Sequence, residues 1–200
     1  MFSSDQWQKH LIPKPLPIYQ TILKDHIKIN NYLKQSILEH RRKYPKSITT
    51  NVKAWHSDWH THLKDSNFKP FSNLVTDACE YISTHDWNQN FWEFKVIDMW
   101  AMMYKESNHA VRHDHIPFPL SGVYYVDVEE GCSPIIFEKG DPSSLTIQPK
   151  NGMLIIWHGN LYHEVPSTNK KRMAISMNIV MDKTLSYDQH QEDMKIRGKV

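Results

Sequence analysis

The chain has 200 residues, with 24 basic and 22 acidic side chains, a formal net charge of +2 and a mean hydropathy of −0.61. This length fits one domain with a sizeable core, and the composition is that of an ordinary globular protein. No apolar run approaches the roughly 18–20 residues that a membrane span needs, so we expect no membrane partner. The short basic runs at 41–43 and 170–172 lie far apart, which argues against a nucleic-acid partner.

The start of the chain and its cysteines bear on the cellular compartment. Residues 1–14 lack the long apolar core of a signal peptide, so we expect the protein to remain in the cytoplasm. Cys79 and Cys132 are too few for a disulfide framework and lack metal-ligand spacing, which predicts two reduced thiols. The 13 histidines stand out, because histidine is the commonest metal ligand and their positions decide what they do.

The first half of the chain is predicted to be largely helical. Residues 20–43 carry apolar side chains at helical spacing with charged residues between them, and Pro45 ends this predicted helix. A second amphipathic pattern covers 70–84 and opens at Pro70. Residues 51–60 combine aromatic and polar side chains between the two helices, and we predict that this segment is extended.

The second half reads as short strands separated by turn signals. The predicted strands are 93–105, 121–128, 134–138, 144–148, 153–158 and 172–181. Several short strands in this arrangement predict an antiparallel sandwich or barrel. The predicted fold class is therefore α+β, in one domain with a helical support over 15–90, a β core over 91–182 and a polar tail over 183–200.

Three histidines are the first candidates for a metal site. His113 and His115 are two residues apart, so on an extended chain they point to the same side and can bind one ion. His163 follows the apolar strand 153–158, where the rim of a barrel would place a third ligand. If the backbone is not extended at this point, Asp114 competes with His115 for the second position.

Arg172 is the second candidate for a functional residue. Along the strand that it opens, Arg172, Ala174, Ser176 and Asn178 share one face, while Met173, Ile175 and Met177 share the other. If the apolar face packs against a helix or a second sheet, Arg172 points into the barrel, where an unpaired charge is very costly. A ligand carboxylate held by the guanidinium fork would be a natural partner, and a rim arginine paired with a nearby acid is the alternative.

Two further groups of aromatic residues and histidines favour structural roles. His56, His60 and His62 lie near Trp55 and Trp59, but no acid or cysteine completes a metal site there. We expect these histidines to be structural, with the 51–60 segment, and Trp55 in particular, placed at the mouth of a substrate site.

The stretch 99–104 alternates large side chains on both faces. Trp100, Met102 and Tyr104 alternate with Met99, Ala101 and Met103, which predicts core packing rather than a cofactor site.

The order His113-x-His115, His163, Arg172 resembles that of the iron(II)/2-oxoglutarate-dependent dioxygenases. The strands at 121–126, 152–157 and 172–178 are similar to those of prolyl hydroxylases in this superfamily. The stretch 113–125, together with 51–57, is still more similar to the uncharacterised 2OG-Fe(II) oxygenases frequent in phages and marine bacteria. The resemblance covers residues 15–181 and implies a double-stranded β-helix, or jelly roll, supported by N-terminal helices.

The resemblance assigns roles residue by residue. His113 and His163 would bind Fe(II), and His115 stands where most of the superfamily has a carboxylate. Arg172 would hold the distal carboxylate of 2-oxoglutarate. The residues implied to assist Arg172 are Tyr125 and Ser176; weaker candidates for substrate contacts are Asn178 and Trp55.

The implied reaction uses Fe(II), 2-oxoglutarate and O2 to hydroxylate an unactivated C–H bond, with release of succinate and CO2. His115 fills the place that halogenating relatives leave open for halide, which favours hydroxylation. The substrate remains open among a peptide side chain, a nucleobase, a lipid-linked sugar and a small metabolite. Nothing in the sequence indicates an oligomeric state, and the implied setting is the cytoplasm of a bacterium or a phage-infected host.

Two alternatives stand beside this reading. The first is a three-histidine, cupin-like metal oxygenase that does not use 2-oxoglutarate; the position of Arg172 after His163 argues against it. The second is a non-catalytic β-helix module that binds a ligand or a protein.

Overall fold

The computed structural model describes residues 6–10, 16–48, 50–142 and 144–183. The polar tail predicted over 183–200 lies outside the described residues after Lys183. Within the described part, the helices are α1 (His26–Lys43), α2 (Thr61–Lys64) and α3 (Phe68–His85). The strands are β1 (Trp7–His10), β2 (Ile18–Ile22), β3 (Val52–Lys53), β4 (Trp55–His56), β5 (Trp92–Tyr104), β6 (Asn108–His113), β7 (Leu120–Val128), β8 (Ile135–Phe137), β9 (Leu145–Ile147), β10 (Met153–His158), β11 (His163–Thr168) and β12 (Arg172–Lys183).

The strands form two antiparallel sheets. The larger sheet has the order β1-β2-β10-β7-β12-β5-β4, and the smaller has the order β3-β6-β11-β8-β9. Many neighbours are far apart in the sequence: β12 pairs with both β5 and β7, and β10 pairs with both β2 and β7. These crossovers wind the chain back and forth between distant strands, as in a rolled sandwich rather than a simple meander.

The large sheet has different partners on its two faces. One face packs against α1 and α3 in an apolar cluster that includes Leu33, Phe71 and Val75. The other face encloses a second cluster, to which β8 and β9 of the smaller sheet also contribute. Met173, Ile175 and Met177 belong to the cluster with the helices, whereas Ala174 belongs to the inner one. The predicted division of β12 into an apolar outer face and an inner face is therefore confirmed, and helices rather than a second sheet cover the outer face.

The α+β class is confirmed, but the first half is less helical than predicted. The helix expected over 20–43 begins at His26, and residues 18–22 form β2, which pairs with β10 along its whole length. Ile18, Tyr19 and Thr21 are all buried, as suits a strand inserted between two neighbours.

Three strands were not predicted at all: β1, and the pair β6 and β11. The sequences of β6 and β11 are polar and lack an apolar alternation. Both belong to the smaller sheet and pair with each other. Cys79 and Cys132 are free and buried, which confirms the predicted thiols. No helix within the described ranges is long and apolar enough to cross a membrane.

Candidate active site

The three predicted histidines come together at one end of the space between the sheets. His113 ends β6 and His163 begins β11, and the two residues are direct neighbours in the sheet. His115 lies just after β6, and its Nε2 atom is 3.3 Å from the Nε2 atom of His163. One ligand atom from each of the three lies within 4.8 Å of the other two. Among the described residues, this is the one group of histidines, cysteines and acids with that geometry.

Hydrogen bonds at the far side of each ring define which nitrogen faces the centre. The Nδ1 atom of His113 is 2.7 Å from the carbonyl oxygen of Val111, and that of His163 is 3.1 Å from the carbonyl oxygen of Leu161. Carbonyl oxygens only accept, so both Nδ1 atoms carry the proton and donate it. Each Nε2 atom is then left with a lone pair, as a metal ligand requires.

Burial keeps these imidazoles neutral. It lowers the pKa of His115 to about 4, assisted by the neighbouring His113. The pKa of His163 is also lowered, first by burial and then by the other two histidines, and that of His113 is lowered by burial. A site with neutral imidazoles and facing lone pairs suits a cation, because the lone pairs repel one another until an ion lies between them.

The spacing of the lone pairs fits a shared ion. Two nitrogens bound at roughly 2.1 Å to one ion with a right angle between the bonds lie about 3 Å apart. The 3.3 Å between the Nε2 atoms of His115 and His163 is close to that value. Asp114 does not join the cluster; one of its carboxylate oxygens accepts from the backbone N–H of Ile116 at 3.2 Å.

The loop that carries His115 is held against the turn after β10. The backbone N–H of His115 donates to the carbonyl oxygen of Gly159 at 2.7 Å, and the N–H of Gly159 donates to that of Pro119 at 2.9 Å. A Cβ atom on residue 159 would lie only 2.0 Å from the carbonyl oxygen of Phe118. A glycine is therefore needed at 159 for the two segments to approach this closely.

Asn178 makes two side-chain hydrogen bonds that the sequence did not predict. Its Oδ1 atom is 2.7 Å from Nδ1 of His115, and its Nδ2 atom donates to a carboxylate oxygen of Asp98 at 2.9 Å. The other carboxylate oxygen of Asp98 is 3.2 Å from Nε2 of His60, a half-exposed side chain. Asn178 therefore contacts His115 through one amide atom and Asp98 through the other, and it also lines the cavity, so its predicted contact with substrate stays a prediction.

Arg172 is a buried cation without an acidic partner among the described residues. Only 3% of it is exposed, and its Nη1 atom donates to the carbonyl oxygen of Ser133 at 3.0 Å. Its guanidinium carbon lies 4.0 Å from the centre of the Tyr104 ring. Its Nε–H has no partner. A buried guanidinium with no acid beside it among the described residues is suited to bind an anionic group of a ligand.

Arg172 and the histidines line the same cavity, of about 230 Å³. Tyr125 and Ser176 also line it, as does Asn178. Burial raises the pKa of Tyr125, and the nearby charge of Arg172 opposes that shift. The structure thus brings together all the predicted metal-binding and cosubstrate-binding residues.

Trp55 is not part of this cavity. Its ring packs in the helix-facing cluster, its Nε1 donates to the carbonyl oxygen of Tyr44 at 3.0 Å, and the guanidinium of Arg41 lies 5.5 Å from its ring. Trp59, four residues later, lines the cavity in its place, and the substrate contact of Trp55 stays a prediction that the position of its ring does not support. The aromatic segment was correctly associated with the site, but the sequence did not show which tryptophan points inward.

Sequence reasoning also missed His56 and Trp100, which line the cavity wall beside His115. Their rings stack 5.5 Å apart, and the Trp100 ring is in turn 6.2 Å from that of His115. Trp100 was predicted as core packing, and it does belong to the inner cluster. The usable signal was its place on the same strand face as Met102 and Tyr104, which also line the cavity.

Comparisons with known proteins support the fold. No protein-family model and no curated protein matches the chain, but solved structures do. A prolyl-4-hydroxylase from Pseudomonas putida has a TM-score of 0.63 at 13% identity, covering 82% of this chain and 91% of that one. The non-haem α-ketoglutarate-dependent epimerase SnoN of nogalamycin biosynthesis has a TM-score of 0.61 at 11% identity, covering 82% and 77%. A viral collagen prolyl hydroxylase from Paramecium bursaria Chlorella virus-1, solved with 2OG, has a TM-score of 0.56 at 14% identity, covering 81% and 94%.

Identities this low show a shared architecture and leave activity to be argued from the site. The three similar structures differ in reaction, since two are hydroxylases and one is an epimerase. The chain therefore has the double-stranded β-helix, or jelly-roll, fold found in 2-oxoglutarate- and iron(II)-dependent oxygenases.

Proposed function

We propose that this protein is an Fe(II)- and 2-oxoglutarate-dependent oxygenase that hydroxylates an unactivated C–H bond. One observation carries the proposal: three imidazole nitrogens converge in the same cavity that holds a buried arginine, and no described acidic side chain pairs with that arginine. A metal site alone fits many activities. A metal site with an unneutralised guanidinium fits a cosubstrate that both chelates metal and carries a second carboxylate.

His113, His115 and His163 would hold the iron, and Arg172 would hold the distal carboxylate of 2-oxoglutarate. When bound, iron, 2-oxoglutarate and O2 supply the oxidation: one oxygen atom enters the substrate as hydroxyl and the other enters succinate, with loss of CO2. Tyr125 and Ser176 lie on the cavity wall where they can assist Arg172. The chain contributes orientation and the exclusion of water, which is its usual share in cofactor chemistry.

Charge balance favours a dianionic cosubstrate at this site. Three neutral histidines leave the +2 charge of a ferrous ion uncompensated, whereas the more common carboxylate ligand would remove part of it. Arg172 adds a further positive charge in the same cavity. A dicarboxylate would neutralise both ends, with its keto-acid end at the metal and its other end at the guanidinium.

The finer assignments remain predictions. They are the resemblance to the oxygenases of phages and marine bacteria, the cytoplasmic location and the identity of the substrate. The three-histidine oxygenase that works without 2-oxoglutarate is the main rival, and it offers no reason for the buried arginine.

The proposal is tested by separating cosubstrate binding from metal binding. Arg172→Ala should raise the apparent KM for 2-oxoglutarate at least about thirtyfold in slow, substrate-free conversion to succinate, because truncating one partner of a buried charge pair costs roughly 2–5 kcal/mol. Iron affinity should change less than about threefold, since Arg172 is not a ligand. Lys171→Ala, at the exposed neighbouring position, is the matched control. Equal losses of iron and 2-oxoglutarate binding in Arg172→Ala would contradict these roles.

A further inference from the structure

A chain of hydrogen bonds, called the relay below, connects His115 of the metal site to the protein surface. His115 contacts Asn178, Asn178 contacts Asp98, and Asp98 contacts His60, at 2.7, 2.9 and 3.2 Å. Asn178 and Asp98 are direct neighbours on β12 and β5, so the backbone ladder fixes their separation. The relay therefore connects a metal ligand to the 55–62 segment through rigid strands.

The direction of every hydrogen bond in this relay follows from its acidic member. An ionised carboxylate accepts hydrogen bonds and has no proton to donate. The amide of Asn178 can satisfy Asp98 only with its NH2 group, which turns its Oδ1 atom toward His115. An oxygen facing Nδ1 of His115 requires a proton on that nitrogen, and the lone pair of the ring is then on Nε2.

The same argument explains why the relay includes an asparagine and an acid. An isolated asparagine beside His115 can present either end of its amide. With the NH2 group turned toward His115, the lone pair would be drawn to Nδ1 and the proton to Nε2, which would block metal binding at the centre. His113 and His163 do not need such a device, because backbone carbonyl oxygens already face their Nδ1 atoms.

We infer that Asp98 is a positioning residue that sets the tautomer of His115 through Asn178, so that Nε2 of His115 is available to the metal. The three-histidine site has no carboxylate ligand, but two hydrogen bonds connect the carboxylate of Asp98 to the ligand His115. The inference rests on the proposed metal site, since it assigns a purpose to the orientation of one of its ligands. His60 closes the relay at the surface and is not required for the tautomer.

The test uses the full chain and Co(II), an air-stable probe for the ferrous site, together with nitrogen NMR of the His115 ring in the metal-free protein. Asp98→Leu should lower Co(II) affinity by about 10–100-fold, the range typical for groups that orient metal ligands. Its NMR spectrum should show a mixture of His115 tautomers in place of the Nδ1–H form alone.

Two matched variants separate this role from simple loss of packing. Asp98→Asn keeps the size of the side chain and an oxygen that can accept from Asn178, but its NH2 group can also donate. Its Co(II) affinity should therefore lie between those of the wild type and Asp98→Leu, with a smaller share of the wrong His115 tautomer. His60→Ala removes the exposed end of the relay and should change Co(II) affinity less than about threefold. Unfolding free energies of all variants, measured without metal, identify any that fail to fold.

The outcomes distinguish this inference from the function on which it rests. Failure of the wild-type protein to bind Co(II) would overturn the metal site itself. Normal binding by the wild type with unchanged affinity and an unchanged tautomer in Asp98→Leu would overturn the role of Asp98 alone. A loss of Co(II) affinity in Asp98→Leu without any change in the His115 tautomer would also overturn it, because packing or charge rather than hydrogen-bond direction would then explain the loss.

Discussion

The two faces of strand β12 divide the work of stabilising the molecule and building its site. Met173, Ile175 and Met177 pack with the helices, and nothing on that face needs a partner from outside the chain. On the inner face, Arg172 has an unpaired Nε–H, and Asn178 aligns a histidine whose lone pair faces two others. Successive side chains of a strand point to opposite faces at a rise of about 3.3 Å per residue. The polar residues of the site are therefore direct sequence neighbours of the packed apolar ones.

This contrast predicts that substitutions on the two faces have separable effects. On the helix-facing side they should lower the free energy of unfolding and leave ligand affinity intact. On the inner side, substitutions should lower ligand affinity and change the free energy of unfolding less.

The largest effect is expected from the helix-facing side. Ile175 is fully buried in the helix-facing cluster, so Ile175→Ala should lower the free energy of unfolding by about 2–5 kcal/mol, through lost burial and the cavity left behind. Urea denaturation of the metal-free protein measures this. Metal affinity of the folded fraction should be unchanged within about threefold, and a large loss of affinity would show that the faces are coupled.

The next effect concerns the cavity that the inner face of β12 lines, at His163 of β11. His163→Ala should lower metal affinity by more than about a hundredfold, since removing a ligand must cost more than the 10–100-fold typical of its supporting groups. Competition with a metal-sensitive dye measures the affinity. The loss in unfolding free energy should be smaller than that of Ile175→Ala. Tight metal binding that survives in His163→Ala would remove this residue from the site.

A smaller effect is expected where the inner face meets the loop before β7. Gly159→Ala places a Cβ atom against the carbonyl oxygen of Phe118, so the loop that carries His115 must shift. Metal affinity should fall about tenfold, because the His115 ring moves while the other two ligands stay. Gly131→Ala offers a control in which nothing lies near the new Cβ atom and only the backbone is strained. Equal effects of the two substitutions on metal affinity would contradict this account of Gly159.

The last effect is a pH dependence of the free energy of unfolding of the metal-free protein. The pKa of His115 is lowered from 6.5 to about 4 in the folded state, so between these values the unfolded chain binds more protons than the folded one. Stability should therefore decline as pH falls through this window, and be fully present above it. His115→Asn cannot titrate and should show a shallower decline in urea denaturation between pH 7 and pH 5. Identical slopes would mean that His115 is not held neutral by the fold.

The same contrast explains how much could be predicted from the sequence. The alternation of β12 and the spacing of His113, His115 and His163 are local patterns, and they led to the correct fold class and to a cluster that the structure brings together. Arg172 was assigned to the interior because the apolar residues beside it needed a core. These predictions needed only the period of a strand and the cost of burying a charge.

What was missed depends on contacts between distant segments. Asn178 meets a histidine 63 positions away and an aspartate 80 positions away, and no local pattern signals either contact. Trp55 and Trp59 look alike in sequence, but a pairing between β4 and β5 turns the first toward the helices. β2 was predicted as part of a helix because its role depends on β10, more than 130 positions later.

The central claim is most directly tested by anaerobic titration of the metal-free protein with Fe(II) and 2-oxoglutarate, followed by visible absorption. The proposed function predicts a weak charge-transfer band that appears only when both are present, and that requires a much higher 2-oxoglutarate concentration in Arg172→Ala. Iron that binds without producing the band on addition of 2-oxoglutarate would favour the three-histidine oxygenase that needs no cosubstrate. A folded protein that binds no iron would contradict the metal site and favour a non-catalytic binding module.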